Sequence, residues 1–364
     1  MSYQVRSAQL EDSQAILELF RRTPQAGKIT LNFERSPCYF HSAHVSCEQP
    51  DVFVAEEHDS GRIVGVGNIG QRRLHVNGRP RYVRYAHDLR VEPTYRGGHV
   101  LFDLYRQIPE SDYQNGWLQA VILADNEPYL KAVAKHRPGL PRFLPYGMIE
   151  TSLLFGSRLA RKPNTGLNIR QAKVEDLGVM QAFWDDEGPK KQFFPCYQFE
   201  QLARSEPYFR ALRPQDYWLA FDGESLVGII GTWDQKAFKQ TLVLAYTHGL
   251  QTLRHLYNLQ NQLRGGPRLP QPGGQLVYLT LHSMLVKDND PTIFKALLDT
   301  IHASMGRHYD ALVCGLFEQD ALRPVLEKFR RETIRSQHFI LAHSGDPRLG
   351  LNGRLTPYVD AARL

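Results

Sequence analysis

The sequence predicts a mixed α/β protein made of two tandem copies of one fold, and three observations predict it. A stretch near the start recurs past the middle: "VRSAQLEDSQAILELF" from Val5 and "IRQAKVEDLGVMQAFW" from Ile169 share Arg, Ala and Glu-Asp at the same offsets and match in their apolar positions. Three further pairs of segments follow in the same order. "VFVAEEHDSGRIVGVGNIG" from Val52 resembles "YWLAFDGESLVGIIGTWD" from Tyr217, "YAHDLRV" ending at Val91 resembles "TLHSMLV" ending at Val286, and "LQAVILADN" from Leu118 resembles "DALVCGLFEQD" from Asp310. Finally, each copy reads as strand, helix, helix, three strands, helix, strand, helix and closing strands, a mixed unit around a central sheet.

Each element has its own signal. Val5 and Ile169 open short strands that pass through acidic N-cap regions into amphipathic helices. Asp-Ser-Gly from Asp59 and Asp-Gly at Asp222 mark strand–turn–strand patterns. In "LRVEPTYRGGHVLFDLY", Leu89 and Val91 alternate as in a strand, and after the glycines Val100, Leu101, Leu104 and Tyr105 fall at helical spacing. "AKHRPG" ends the last helix of the first copy, and "LPRFLPYGMIE" from Leu140 leads into the closing strands or forms a pocket rim. Gly65 and Gly228 correspond at an offset of 163 and His87 and His282 at 195, so the second copy gains 32 residues between its third and fourth strands. That piece carries a predicted helix, "GLQTLRHLYNLQNQLRGG", and then the loop "PRLPQPGG". The domains expected are 1–156, a polar Gly/Pro-bearing linker 157–166, 167–346 with the insertion at 232–274, and a tail 347–364.

Bulk composition excludes several classes. Lys and Arg number 44 against 38 acidic residues, a formal charge of +6. The basic clusters, such as "SRLARK" and "KFRRETIR", are short and scattered. A nucleic-acid binder shows a denser basic stripe with interleaved aromatics, so a solvated basic surface is expected and nucleic acid is not. No apolar run reaches the length of about 18 residues that a membrane span needs, and "MSYQVRSAQLEDSQ" has no signal-peptide core. Four cysteines make no disulfide framework, which places the protein in a reducing cytoplasm.

A strand that turns through Arg96, Gly97 and Gly98 into a helix either presents N–H groups to a phosphate or is an ordinary tight connection. "CYFHSAHVSC" holds Cys38, His41, His44 and Cys47 at steps of three. On a helix its ends lie about 13 Å apart, too far for one tetrahedral zinc, so no metal is expected. The segment reads as a substrate wall or as plain packing.

The hairpin "DSGRIVGVGNI" followed by "LRVEPTYRGGHV" resembles the GNAT acyltransferase superfamily, well over residues 3–155 and more loosely over 168–345. That resemblance implies two tandem GNAT-like domains, each a mostly antiparallel central sheet flanked by helices, the second copy being degenerate. It implies an acyl-CoA-dependent N-acyltransferase, with acetyl-CoA or another acyl-CoA as cosubstrate, acting on a small-molecule or peptide amine by direct attack, without a nucleophilic cysteine. Leu89, Arg90 and Val91 would pair with the pantetheine arm, and Arg96, Gly97, Gly98, His99 and Val100 would hold the pyrophosphate. His99 and Leu101 stand where the family has glycine or alanine. Asn126 would lie near the cofactor, or simply cap a helix. In the second copy "KDNDPTIFKAL" has no arginine–glycine loop, and Asp288 and Asp290 oppose a pyrophosphate.

Acyl transfer to an amine needs a base, oxyanion stabilisation and a proton for the leaving thiolate. The base is His87 or Asp88, on the strand before the loop; His87 is alternatively a packed core histidine, as His282 would be. Strict alternation puts His87 on the face of Leu89, and Asp88 on the other beside Arg90. The family's acid position holds Val133, so Tyr129, one turn earlier, is the candidate acid. The alternative is a non-catalytic tandem module that binds a ligand or partner in the same groove. Residues 168–345 are expected to pack on the first copy and help enclose the acceptor pocket, with Tyr246 and Tyr257 either as its wall or as cover for the inserted helix.

Overall fold

A computed structural model describes residues 2–25, 29–108, 116–135, 138, 140–156, 162–264, 269–305 and 308–364. The N-terminal half runs β1 (Tyr3–Ser7), α1 (Ser13–Arg22), β2 (Ile29–Glu34), α2 (Tyr39–Ser46), β3 (Val52–Glu57), β4 (Ile63–Val76), β5 (Arg79–Val91), α3 (Val100–Tyr105), β6 (Leu118–Leu123), α4 (Glu127–Ala134) and β7 (Arg142–Phe155). The C-terminal half runs β8 (Asn168–Gln171), α5 (Leu177–Glu187), β9 (Lys191–Gln192), α6 (Phe199–Ala203), β10 (Tyr217–Asp222), β11 (Ser225–Trp233), β12 (Gln240–Tyr246), α7 (His248–Arg264), β13 (Tyr278–Val286), α8 (Pro291–Met305), β14 (Ala311–Phe317), α9 (Arg323–Leu326), β15 (Arg331–Ala342) and β16 (Thr356–Pro357). Element by element, the second half repeats the first, with β12 and α7 inserted and β16 added after the closing strand.

The repeat holds at the level of single bonds. Arg6 on β1 grips Asp12 with both guanidinium nitrogens, at 2.7 and 2.8 Å, and Asp12 accepts from the Gln9 N–H. Arg170 on β8 grips Asp176 at 2.7 Å twice, and Asp176 accepts from the Lys173 N–H. In each case one carboxylate both pairs with the strand and satisfies an orphan donor where the helix begins. Gly65 on β4 and Gly228 on β11 recur for a packing reason. A Cβ there would lie 2.7 Å from Val100 of α3 or 2.8 Å from Leu297 of α8, so only glycine lets the helix lie on the sheet.

The two halves share one twelve-stranded sheet, ordered β1-β3-β4-β5-β6-β15-β7-β14-β13-β11-β10-β8. Its centre is an exchange. β15 of the second half lies between β6 and β7 of the first, antiparallel to both, and β7 pairs in turn with β14. Buried Glu150 on β7 binds Arg331 at the start of β15 and Arg323 on α9, at 3.3 Å for the latter. A second link joins β2 to β12 of the insertion as a separate two-stranded sheet.

Two parallel ladders open at matching places. β5 pairs with β6 only through Arg84, Tyr85 and Ala86, and β13 pairs with β14 only through Tyr278, Leu279 and Thr280. Beyond Ala86 and Thr280 the strands of each pair part. In the second half the gap is filled by the chain's own tail. The turn Ala361–Arg363 packs on β13 and β14, Ala361 sits where a Cβ on Gly315 would be (2.7 Å), and the Tyr358 hydroxyl approaches the Met284 N–H at 3.4 Å. Arg363 is buried to 1% exposure. Its guanidinium lies 3.5 Å over the Tyr208 ring and donates to the Val45 and Tyr208 carbonyls and the Tyr197 hydroxyl.

The fold expected from the sequence is the one present, and the predicted inserted helix is α7. Within the expected linker, residues 157–161 lie outside the described residues, and 162–166 form neither helix nor strand.

Candidate functional site

The opening between β5 and β6 begins at His87, where β5 is bulged. Val66 pairs with Arg90 and Asn68 with His87, so β5 carries one residue more than β4 across this step. Asp88 takes the strain, with φ of +51°. The bulge corrects the expectation of strict alternation. Leu89 points to α3, 3.3 Å from where a Cβ on Gly67 would be, and Val91 packs with it. His87 and Asp88 both turn to the opposite face, toward α1 and α2, and Arg90 joins them with its guanidinium 5.1 Å from the Phe20 ring.

On that face the side chains form a chain of ionisable groups. The Cys47 Sγ at the end of α2 lies 3.6 Å from His87 Nε2. His87 Nδ1 lies 3.6 Å from Asp88 Oδ2. Arg35 Nη2 donates to Asp88 Oδ1 at 2.9 Å. His87, Asp88 and Arg35 have side chains only 4%, 7% and 6% exposed, and Cys47 is fully buried. Arg72 closes the far side: its guanidinium lies 3.6 Å over the Tyr85 ring, donates to the Ser46 carbonyl at 2.7 Å, and sits beside Cys47. The Tyr85 ring in turn stacks on His87 at 5.1 Å.

Burial works against every charge here, and the neighbours outweigh it. Burial opposes the Cys47 thiolate, but the His87 charge and Arg72 bring its pKa below the ordinary thiol value. Burial opposes the His87 imidazolium, but Cys47 and Asp88 raise its pKa above 6.5. Burial opposes the Asp88 carboxylate, but Arg35 and His87 hold it well below the usual range. Each group of the chain Cys47–His87–Asp88 thus favours the charged form of the next, which eases proton movement between the thiol and the imidazole. Asn68 Nδ2 and Oδ1, the Tyr39 hydroxyl, His87 Nδ1 and Asp88 Oδ2 are all buried here without a hydrogen bond to the described residues. Buried polar atoms left without partners beside perturbed ionisable groups make this cluster the candidate site.

The second half supplies a control. His282 and Ser283 sit on the same bulge, Ser283 with φ of +55°. Ser283 replaces Asp88, and Gly231 replaces Asn68; a Cβ on Gly231 would lie 2.2 Å from the His282 ring. Tyr217 and Trp233 flank His282, Ser283 Oγ lies 2.7 Å from its Nδ1, and burial pulls its pKa down to about 4. His282 is a neutral packed histidine, whereas His87 sits among charges.

The remaining expected site residues lie on the other face. The loop after β5 is exposed at Arg96, Gly97, Gly98 and His99; Gly97 has φ of +82°, and Arg96 Nε donates to the Val91 carbonyl at 3.1 Å. His99 is the N-cap of α3, and buried Val100 starts the helix. Leu101 lines a small apolar cleft between α3 and α4 with Tyr105, Val133 and Phe143. Asn126 is the exposed N-cap of α4, without a side-chain capping bond. Tyr129 packs inside the α3–α4 core with its hydroxyl 2.9 Å from that of Tyr105, across the sheet from His87. Burial raises its pKa strongly. The second copy's loop is self-capped: Asp290 Oδ1 accepts from the Thr292 N–H at 2.7 Å, at the start of α8.

Cys47, Asn68, Arg35 and Arg72 escaped the sequence reading as site residues. Only Cys47 carried a signal, as one end of "CYFHSAHVSC"; the helix α2 separates it from Cys38, which lies instead beside Ser13 at 3.5 Å.

No protein-family model and no curated protein matches the chain. Solved structures do match. Saccharomyces cerevisiae N-myristoyltransferase with bound myristoyl-CoA superposes with a TM-score of 0.61 at 10% identity, over 95% of this chain and 84% of that one. A GCN5-related N-acetyltransferase from Anabaena variabilis gives 0.51 at 11% identity, over 93% of this chain and 72% of that one. One from Sphaerobacter thermophilus gives 0.51 at 12% identity, over 93% and 95%. The chain thus has the fold of the GCN5-related N-acyltransferase superfamily, present in two tandem copies.

Proposed function

We propose that the chain is an acyl-CoA-dependent N-acyltransferase working through its N-terminal copy. The observation that carries this reading is the coincidence of two features at His87: the β5–β6 ladder ends there, and the buried charged cluster begins there. An extended pantetheine arm entering the gap would pair with the backbone of β5 from His87 to Val91, as an added strand does. Arg96 and the N–H groups of Gly97 to Val100 lie on the α3 side to receive the phosphates. The thioester then arrives at the bulge, and the acceptor amine approaches from the α1–α2 face, where His87 takes the proton it loses. Asp88 and Arg35 hold His87 in place. The acceptor is a small-molecule or peptide amine, and the donor acetyl-CoA or a longer acyl-CoA. The second copy, self-capped at α8 and filled by residues 358–363, serves as scaffold and as a wall of the acceptor side. No described helix is long and apolar enough to cross a membrane.

Calorimetry with acetyl-CoA and longer acyl-CoAs, followed by release of free CoA thiol across a panel of amines, tests the reading. Saturable binding with amine-dependent thiol release is expected. Binding without release from any amine would identify a ligand-binding module, and absence of binding would remove the reading.

A further inference from the structure

We propose that Cys47 is a covalent nucleophile, carrying the acyl group as a thioester between acyl-CoA and the amine. This rests on the acyl-CoA reading above and departs from it in requiring two chemical steps in place of direct attack. Three of the four groups in the chain Cys47–His87–Asp88–Arg35 stand in the order nucleophile, base, orienting carboxylate, with spacings of 3.6 and 3.6 Å, and Arg35 fixes the carboxylate at 2.9 Å. His87 is the first residue of β5 past the end of the β5–β6 ladder, so the pair stands beside the place where the two strands part.

The packing holds the sulfur in one place. A Cβ on Gly70 would lie 2.9 Å from Sγ, so glycine at that position makes the room that the thiol occupies. Beside Arg72 and Tyr85 lies a cavity of about 20 Å³, lined also by Gln119 and Val121 of the first half and by Tyr358 and Arg363 of the tail. Half-buried Cys196 and buried Cys314 are unlike Cys47: burial pushes Cys196 up to about 12 and Cys314 strongly upward, as for inert thiols.

In the first step His87 takes the proton of the Cys47 thiol and the sulfur attacks the thioester carbonyl carbon. A C–S bond to Cys47 forms, the bond to the CoA sulfur breaks, and the departing thiolate takes the proton of the His87 imidazolium. In the second step a neutral amine attacks the acyl-Cys47 carbonyl. The C–N bond forms, and His87 takes the amine proton and returns it to the leaving Cys47 sulfur, restoring the starting pair.

The test mixes the full chain with acetyl-CoA or myristoyl-CoA without an amine, quenches in acid and measures intact mass. A gain of one acyl group is expected, mapped to Cys47 rather than Cys38, Cys196 or Cys314 and removed by neutral hydroxylamine. Cys47→Ser should abolish the hydroxylamine-labile adduct, and His87→Ala should slow its formation about a hundredfold or more. Steady-state kinetics should follow a ping-pong pattern. Acyl-CoA binding with amine-dependent turnover, but no adduct and intersecting kinetics, would overturn the Cys47 assignment and leave the transferase reading standing. Absence of acyl-CoA binding would overturn both.

Discussion

Asp88 and Ser283 occupy the same bulged position in two related strands, with φ of +51° and +55°, yet Asp88 is ion-paired to Arg35 at 2.9 Å while the uncharged Ser283 bonds its neighbour's ring. The backbone of the bulge is therefore independent of the charge it carries. The charge is specific to the first copy, next to the place where β5 and β6 part.

Replacing that charge should be felt in stability as well as turnover. Asp88→Asn leaves Arg35 buried without its counter-ion, a loss of about 3–5 kcal/mol for pairs of this kind. The Asp88 pKa lies below its unfolded value, so its contribution is present above about pH 4 and is lost as pH falls through the folded value. Urea melts of both proteins should show the gap in unfolding free energy at neutral pH and its shrinkage below about pH 4. A gap that is independent of pH would assign the loss to packing.

His87 should give the opposite slope. Its folded pKa is raised, so the stability it adds is fully present below about pH 6.5 and is lost as pH rises through the folded value. The difference between wild type and His87→Ala should narrow from pH 6 upward. The companion His282→Ala comparison should run the other way: with its pKa drawn down to about 4, a buried neutral imidazole costs stability below about pH 6.5. Identical pH dependences for the two variants would contradict the charged and neutral environments assigned here.

Much of this was legible in the chain. The repeat, the element order, the insertion and the Gly65–Gly228 correspondence follow from side-chain pattern, because both copies must lay a helix on the same strand. The charged cluster was only half legible. His87 and Asp88 stand out by type, but their shared face depends on a left-handed Asp88, and period-two reasoning places them on opposite faces. Cys47 is 40 residues from His87 and gains its meaning from tertiary contact. Tyr129 is one turn in sequence from the family's acid position, but the sheet intervenes between it and His87. The β15 exchange was invisible, because strand pattern does not say which neighbour a strand takes.

The proposed acyl-CoA binding makes a separate prediction about the loop after β5. Arg96→Glu places a carboxylate at the exposed turn before α3 and should weaken acetyl-CoA binding by about tenfold or more, near 1.4 kcal/mol. Asp288→Ala, in the self-capped loop of the second copy, should leave affinity unchanged. Calorimetry on the two variants decides; equal effects would mean that the N-terminal loop is not the phosphate site.

The exchange of closing strands predicts that the halves do not separate. β6 is paired on one side by three residues of β5 and on the other by six residues of β15, from Leu123–Ser336 to Leu118–Leu341. β7 lies between β15 and β14, so both its partners belong to the second half. Residues 1–160 alone therefore leave β6 with one free edge and β7 with two, and unpaired apolar edges associate. That fragment should be insoluble or oligomeric, where an ordinary tandem protein would yield a folded half. Within the full chain, Glu150→Ala should act at the same seam, since it leaves Arg331 and Arg323 facing each other without the carboxylate. A loss of about 1.5–3 kcal/mol is expected from removing charged hydrogen bonds, measured by denaturant melts. A monomeric, cooperatively unfolding 1–160 fragment would show that β15 does not complete the first copy's sheet.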